Sequence, residues 1–170
     1  MNAISRFADS VEAPTLKDAM RLVAGGVCVV TAGDGEERTG LTVTSAASLS
    51  IDPPTMIICV NRNVSALPVI VRRRHFCVNV LSADHEPVAD RFAGRGGLKG
   101  AARYGDAEWR PQATGALALQ GAIATIDCEV EEMIERHSHV IVIGAARAVK
   151  TGPGDPLVYS RGRYHRLSQS

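Results

Sequence analysis

Short runs rich in valine and isoleucine recur along the chain, each closed by Gly, Pro, Asn or Asp. That is the pattern of strands joined by tight connections. The first element is an exception. "TLKDAMRLVAGG" has Leu16, Ala19, Met20 and Val23 on one helical face, Thr15 as a cap, Asp18 at the third helical position and Gly25-Gly26 as a stop. It predicts a short helix after a polar tail over 1–14. "VCVVTA" then predicts a strand, and "GDGEE" a turn into a second strand along "RTGLTVTSAASLS". In that strand Leu41, Val43 and Ser45 share one face, and Thr42, Thr44 and Ala46 the other. "IDPP" interrupts pairing, because proline has no N–H to give a ladder. "TMIICV" reads as a buried strand.

"NVSALPVIVRR" predicts a short helix if Pro68 lies in its first turn, and "HFCVNVL" a further strand. Ser82 or Asp84 caps "HEPVADRFAG", with Pro87 near the start. Residues 94–106, rich in Gly, Arg and Lys, predict an exposed loop. "IATIDCEVEEMIE" and "SHVIVIGAARAVK" form a long hairpin with its tip at "RHSH", and "PLVYSRGRYHRL" a last hairpin turning at Arg161-Gly162. About seven strands against three short helices, mostly in antiparallel hairpins, predict a mainly β barrel with peripheral helices over 15–168.

Composition narrows the class. The 170 residues suit one domain, and 45% hydrophobic content supplies a core that only 4% aromatic content forces onto aliphatic side chains. A net charge of +1 gives no basic face for nucleic acid. No apolar run reaches membrane-spanning length, and the start lacks a basic-then-apolar leader, so a cytoplasmic protein is expected. Cys28, Cys59, Cys77 and Cys128 sit singly in apolar runs and read as free thiols in a reducing compartment.

Candidate chemistry concentrates in "TGLTVTSAASLSIDPPTMIICVNR". Thr42, Thr44, Ser45 and Ser48 offer hydroxyls near a strand end, Asn61 both donates and accepts, and Arg62 adds a charged fork. They are either ordinary strand and turn polar groups or a cradle for a nucleotide-like cofactor. Neither GxGxxG nor GxxxxGK[ST] is present, so the glycines at 94, 96, 97 and 100 suit a lid rather than a phosphate loop. His137 and His139 share a strand face beside Glu135, but no third ligand is near, and no metal is expected. His139 falls at a pocket rim, His75 reads as structural and His85 as a surface residue. Arg161, Arg163, His165 and Arg166 form a basic patch: a solvated tail or a diphosphate holder.

The stretches "DAMRLVAGGVCVVTA", "GLTVTSAASLSIDPPTMIICVNR", "FCVNVLSADHEPVADRFAG", "TGALALQGAIATIDCEV", "HSHVIVIGAARAV" and "PLVYSRGRYHRL", in this order, resemble the flavin reductase-like family of small NAD(P)H:flavin oxidoreductases. The likeness is nearest the pyrimidine-utilisation flavin reductase and the cob(II)yrinic acid a,c-diamide reductase subgroup. It covers about Leu16 to Leu167. It implies an FMN-binding split β-barrel of Greek-key type, a homodimer, and FMN or FAD reduced by NADH, which is favoured over NADPH. Hydride would pass from nicotinamide C4 to flavin N5, and reduced flavin to a partner monooxygenase. The alternatives are a Co(II) corrinoid acceptor, or a non-enzymatic flavin- or haem-binding protein. By the same likeness Thr42, Thr44 and Ser45 lie along the isoalloxazine and ribityl chain. Ser48 and Ser65 lie towards the phosphate, Asn61 and Arg62 at a strand end beside the flavin, and Phe76 and Asn79 behind the pocket. His139 falls on the nicotinamide side, and Tyr164 is the aromatic of the closing segment. Ser138 stands where the family often has Gly, and Leu67-Pro68 where many relatives carry a polar residue.

Overall fold

The computed structural model describes residues 13–167. In chain order the elements are α1 (Ala13–Met20), β1 (Gly25–Gly26), β2 (Cys28–Ala32), β3 (Thr39–Val43), β4 (Ala47–Ile51), β5 (Pro54–Asn61), α2 (Ala66–Arg73) and β6 (His75–Val80). They continue with α3 (Glu86–Phe92), β7 (Trp109–Pro111), β8 (Leu117–Leu119), β9 (Ala124–Arg136), β10 (His139–Thr151), β11 (Leu157–Ser160) and β12 (Arg163–Arg166). The extra strands over the expected count are the short β1, which pairs with β11, the short pair β7–β8, and one more from a division of the hydroxyl-rich segment. Most of the expected tail lies outside the described residues. Helix α1 already runs at Ala13, so Thr15 sits within it and not at its cap.

The main sheet has seven strands in the order β3-β2-β6-β9-β10-β5-β4. Its two edge strands, β3 and β4, are consecutive in sequence. Val43 and Ala47 are joined by three residues, a reach of at most about 14 Å. The sheet must therefore curl until its edges face one another, yet β3 and β4 do not pair: the barrel is split along this seam. The expected single strand over Arg38 to Ser50 is thus two strands on opposite lips, and the edges that closure would remove remain. "IDPP" does not end pairing either. It is a hairpin turn with a cis Asp52-Pro53 bond, and Ile51 pairs with Pro54 across it.

Strand β2 is apolar on both faces because both are covered. Val30 joins Ile58, Val60, Phe76, Val78, Val140 and Val142 inside the barrel, where Val69 and Ile70 of α2 also pack. Val27 and Val29 face the other way, into a second cluster with Leu81, Val88, Phe92, Tyr104 and Leu157. Gly144 makes room for Phe76, since a Cβ there would stand 2.6 Å from its ring. Gly40 lets α3 approach β3, since a Cβ would meet the Phe92 ring at 2.8 Å. Helix α2 begins at Ala66, which places Pro68 in the first turn as expected. Residues 94–106 hold 3-10 turns at Arg95–Gly97 and Gly100–Tyr104. The buried Tyr104 packs against Phe92 and Trp109 and donates to the Thr39 carbonyl at 2.6 Å, which anchors a stretch expected to be exposed throughout. Among the described residues no helix is long and apolar enough to cross a membrane.

Candidate active site at the seam

A cavity of about 620 Å³ opens along the split, between β3, the end of β5, the start of α2, the end of α3 and the loop that follows it. Leu41, Val43 and Phe92 give it an apolar wall, and Thr42, Ser45, Asn61, Ser65 and His139 a polar rim. Five of the expected site residues, separated by up to 97 positions in sequence, therefore meet at one place.

All but Ser65 are held by a local bond that leaves other bonding capacity open. Thr42 donates to the Ala89 carbonyl at 2.6 Å, tying β3 to α3. Ser45 donates to the Cys59 carbonyl at 3.2 Å, stitching the crossing segment to β5. The lone pairs of both hydroxyls remain available. The Asn61 carbonyl oxygen accepts from the Asn63 N–H at 2.9 Å, which fixes the amide and leaves its NH2 to donate. Ser65 precedes α2 without a side-chain capping bond. His139 stands opposite Asn61 in the β5–β10 ladder, with Nδ1 2.9 Å from the Ser138 hydroxyl. The serine found where the family often has glycine thus touches the histidine ring directly.

Other expected site residues lie elsewhere. Thr44 and Tyr164 line a second cavity of about 220 Å³, which shares Thr42, Val43 and Ala93 with the first. Ser48 is exposed on β4 and lines neither cavity. Arg62 points to Glu135, an ion pair of 3.1 Å, and its N–H donates to the Ser138 carbonyl. Phe76 and Asn79 are fully buried away from the cavity lining. Asn79 donates to the Val29 carbonyl at 3.0 Å and accepts from the Leu119 N–H at 2.7 Å, so its amide is spent inside the protein. The basic C-terminal patch lines neither of these two cavities: Arg166 pairs with Asp84 at 3.0 Å, and the His165 ring contacts the Ser160 carbonyl. His75 is structural, bonded by the Gly33 N–H at 3.2 Å and to the Thr114 carbonyl at 2.7 Å. His85 is not a bare surface group. Its Nδ1 takes part in the capping box with Ser82, and burial lowers its pKa.

Sequence reasoning missed Lys99 and Arg103, which bring positive charge to the first cavity. Arg103 donates to the Gly40 carbonyl at 2.7 Å and to the Leu98 carbonyl at 3.0 Å, while Lys99 makes no ion pair among the described residues. Both sit in the glycine-rich loop, and their cationic side chains were the available signal. Among the described residues no His/Cys/Asp/Glu group of three or more suits a metal ion. The four cysteines are free.

A curled sheet left open along one seam, with a part-apolar, cation-bearing cavity in the opening, is the architecture of a split-barrel flavoprotein. The residues present suit such a ligand. The volume lies within the range of about 300–1,000 Å³ usual for small-molecule sites. The apolar wall accepts a flat ring, Asn61 offers an amide donor to a heterocycle edge, and Ser65 and Lys99 are free for an anion. The model of the flavin reductase like domain matches residues 20–168, and the chain belongs to that family. Its class is that of the NAD(P)H:flavin oxidoreductases. The chain is 37% identical over 164 residues to the FMN reductase (NADH) RutF 2 of Methylorubrum extorquens, covering 96% of this chain and 94% of that one. It superposes on the NADH:FAD oxidoreductase SgcE6 of Streptomyces globisporus with a TM-score of 0.85 at 28% identity, covering 95% and 96% of the two chains. With the styrene monooxygenase flavin reductase of Pseudomonas putida S12 the TM-score is 0.79 at 28% identity, covering 91% and 98%.

Proposed function

We propose that this protein is an NADH-dependent reductase of FMN or FAD that hands reduced flavin to a separate monooxygenase-type enzyme. The observation that carries the proposal is the convergence of Thr42, Ser45, Asn61, Ser65 and His139 on one cavity at the barrel seam. The relatives' names support the pairing of NADH with FMN, and one structural neighbour is the reductase of a styrene monooxygenase. When bound, flavin supplies the redox chemistry, its ring taking the hydride of a reduced nicotinamide.

The protein's own groups bind and orient. Leu41 and Val43 give the ring an apolar bed. Asn61 donates from its NH2 to the ring edge, with the amide pre-set by its bond from the Asn63 N–H. β3 is an edge strand, so alternate N–H groups face away from β2 and add donors that cost no reorganisation. Ser65, the start of α2 and Lys99 hold the phosphate end, where the helix N-terminus and the ammonium favour negative charge. His139, steadied by Ser138, orients the nicotinamide from its place beside Asn61. No side-chain acid is required.

The active form in this reading is a homodimer. Leu16 and Met20 on α1, Leu22 and Val23 just after it, and Leu49 and Ile51 on the edge strand β4 are exposed, with Ile51 at 82%. Apolar groups at an open sheet edge are suited to cover by a second copy.

The test is anaerobic stopped-flow mixing of the protein with NADH or NADPH in the presence of FMN or FAD, followed at the flavin absorbance. Bleaching of flavin by NADH is expected, slowed by Asn61→Ala through weaker flavin binding. No bleaching with either flavin would refute the reading. A parallel reaction with a Co(II) corrinoid measures the other acceptor: cobalt reduction faster than transfer to oxygen would assign the protein to corrinoid reduction.

A further inference from the structure

The second cavity is chemically unlike the first. Tyr159 and Tyr164 meet edge to face in its wall, centroids 5.2 Å apart and planes at 62°. The Arg95 guanidinium lies over the Tyr164 ring, 5.7 Å from its centroid. Val27, Thr42, Val43, Thr44 and Ala93 complete the slot, and Arg95 is its one charged lining residue among the described residues. Two tyrosine rings and a guanidinium plane form a surface for a flat heteroaromatic ring. The slot adjoins the larger cavity, with Thr42, Val43 and Ala93 lining both.

The charge of Arg95 is already answered. Its Nη1 is 2.9 Å from Oδ1 of Asp90 on α3. That carboxylate also lies beside Tyr164, whose hydroxyl is pushed up to about 12 by burial first and by Asp90 next. A ring stacking here therefore meets a polarisable cation whose attraction for a further phosphate is offset by a neighbouring anion.

Resting on the reductase reading above, we infer that this slot seats the adenosine half of the nicotinamide cosubstrate. Asp90, by neutralising Arg95, makes the slot select adenosine without a 2′-phosphate, that is NADH over NADPH. Asp90 is then a specificity-determining residue that touches neither reacting ring. Removing its charge while keeping its shape frees the guanidinium to form a charge-assisted bond with a 2′-phosphate.

The test uses Asp90→Asn and the double variant Asp90→Asn/Arg95→Ala. Calorimetry of the full chain with 5′-AMP and with adenosine 2′,5′-bisphosphate reads binding without turnover. Asp90→Asn is expected to improve the bisphosphate relative to AMP by about tenfold, the ratio expected from one new charge-assisted hydrogen bond. The kcat/KM ratio of NADPH to NADH should rise by a similar factor, and the double variant should lose both gains. Ratios unchanged within about twofold in Asp90→Asn, or gains that survive loss of Arg95, would overturn the inference. So would a change in FAD over FMN preference with the NADPH ratio fixed, which would give the slot to the flavin's own adenosine. Failure of AMP to bind in a protein that oxidises NADH sinks this inference alone. Failure to oxidise NADH at all sinks the reductase reading, and the calorimetric ratio then reports on the slot by itself.

Discussion

Replacing Asn79 with alanine separates holding the barrel together from holding a ligand. Asn79 is fully buried in β6. Its NH2 reaches the Val29 carbonyl at 3.0 Å and its oxygen takes the Leu119 N–H at 2.7 Å, so one side chain fastens β2 and β8 to β6. Val29 is fully buried and Leu119 is 3% exposed. Truncation leaves the Leu119 N–H without a partner where water has little access, while the Val29 carbonyl, opposite residue 79 in the β2–β6 ladder, keeps its backbone partner. A buried group so orphaned costs about 1–3 kcal/mol. With a urea m-value of about 2 kcal/mol/M, the unfolding midpoint should fall by about 1 M. The assay is urea unfolding followed by circular dichroism, with FMN titration of the folded variant followed by fluorescence quenching. Flavin affinity should stay within about twofold, because Asn79 does not line the cavity. A large loss of flavin affinity with an unchanged midpoint would refute the reasoning and return Asn79 to the binding site.

Two further perturbations test the electrostatics and accessibility of the same fold. Burial pushes the Cys28 thiol up to about 11 and the Cys128 thiol up to about 12, and raises Cys77 further, whereas Cys59 is half-buried and lines the cavity. At about pH 8 a thiol reagent should label Cys59 alone, and saturating FMN should slow it; rapid loss of a second thiol would contradict the burial pattern. His85 is held neutral by burial, partly countered by Asp84, so its folded pKa lies below its unfolded value of about 6.5. Below that value the unfolded chain binds more protons, and stability contributed by neutral His85 is present above it and lost as pH falls. Urea midpoints should therefore drop on acidification through that window, and His85→Asn should flatten the curve in it; an unaltered slope would remove His85 as the source.

Local chemistry made most elements legible. The β9–β10 hairpin follows from two long alternating runs around "RHSH", and α2 from an apolar face that tolerates Pro68 only in the first turn. What stayed hidden depends on tertiary placement. Alternation holds from Leu41 to Thr44 and lapses only at the small Ser45, too slight a change to announce that the chain leaves one lip of the barrel for the other. "IDPP" has the composition of a pairing stop, but Pro53 lies in the turn and Pro54 is the first residue of β5, ahead of its pairing with β10, so neither removes a ladder bond there. Asn61 and Asn79 look alike in sequence, each an amide in an apolar strand. One ends its strand at an opening and the other is enclosed between strands, and that difference in burial alone separates a free donor from a spent one.

The seam accounts for why the polar residues gather where they do. A fully closed barrel would pair β3 with β4 and consume their outward backbone groups. Passing from one edge to the other through Thr44–Ala46 leaves those groups unpaired, a liability for aggregation unless something covers them. The sequence answers with small hydroxyl residues, which fit beside a flat ring, and with the Ser45 bond to the Cys59 carbonyl, which keeps the crossing from drifting off β5. On β4 serines alternate with apolar groups, and Leu49 and Ile51 stand exposed. One departure from closure thus produces two unlike surfaces. The polar lip is suited to a small anionic heterocycle and the exposed apolar groups to another protein surface, so the proposed cofactor site and the proposed assembly face would have a common physical origin.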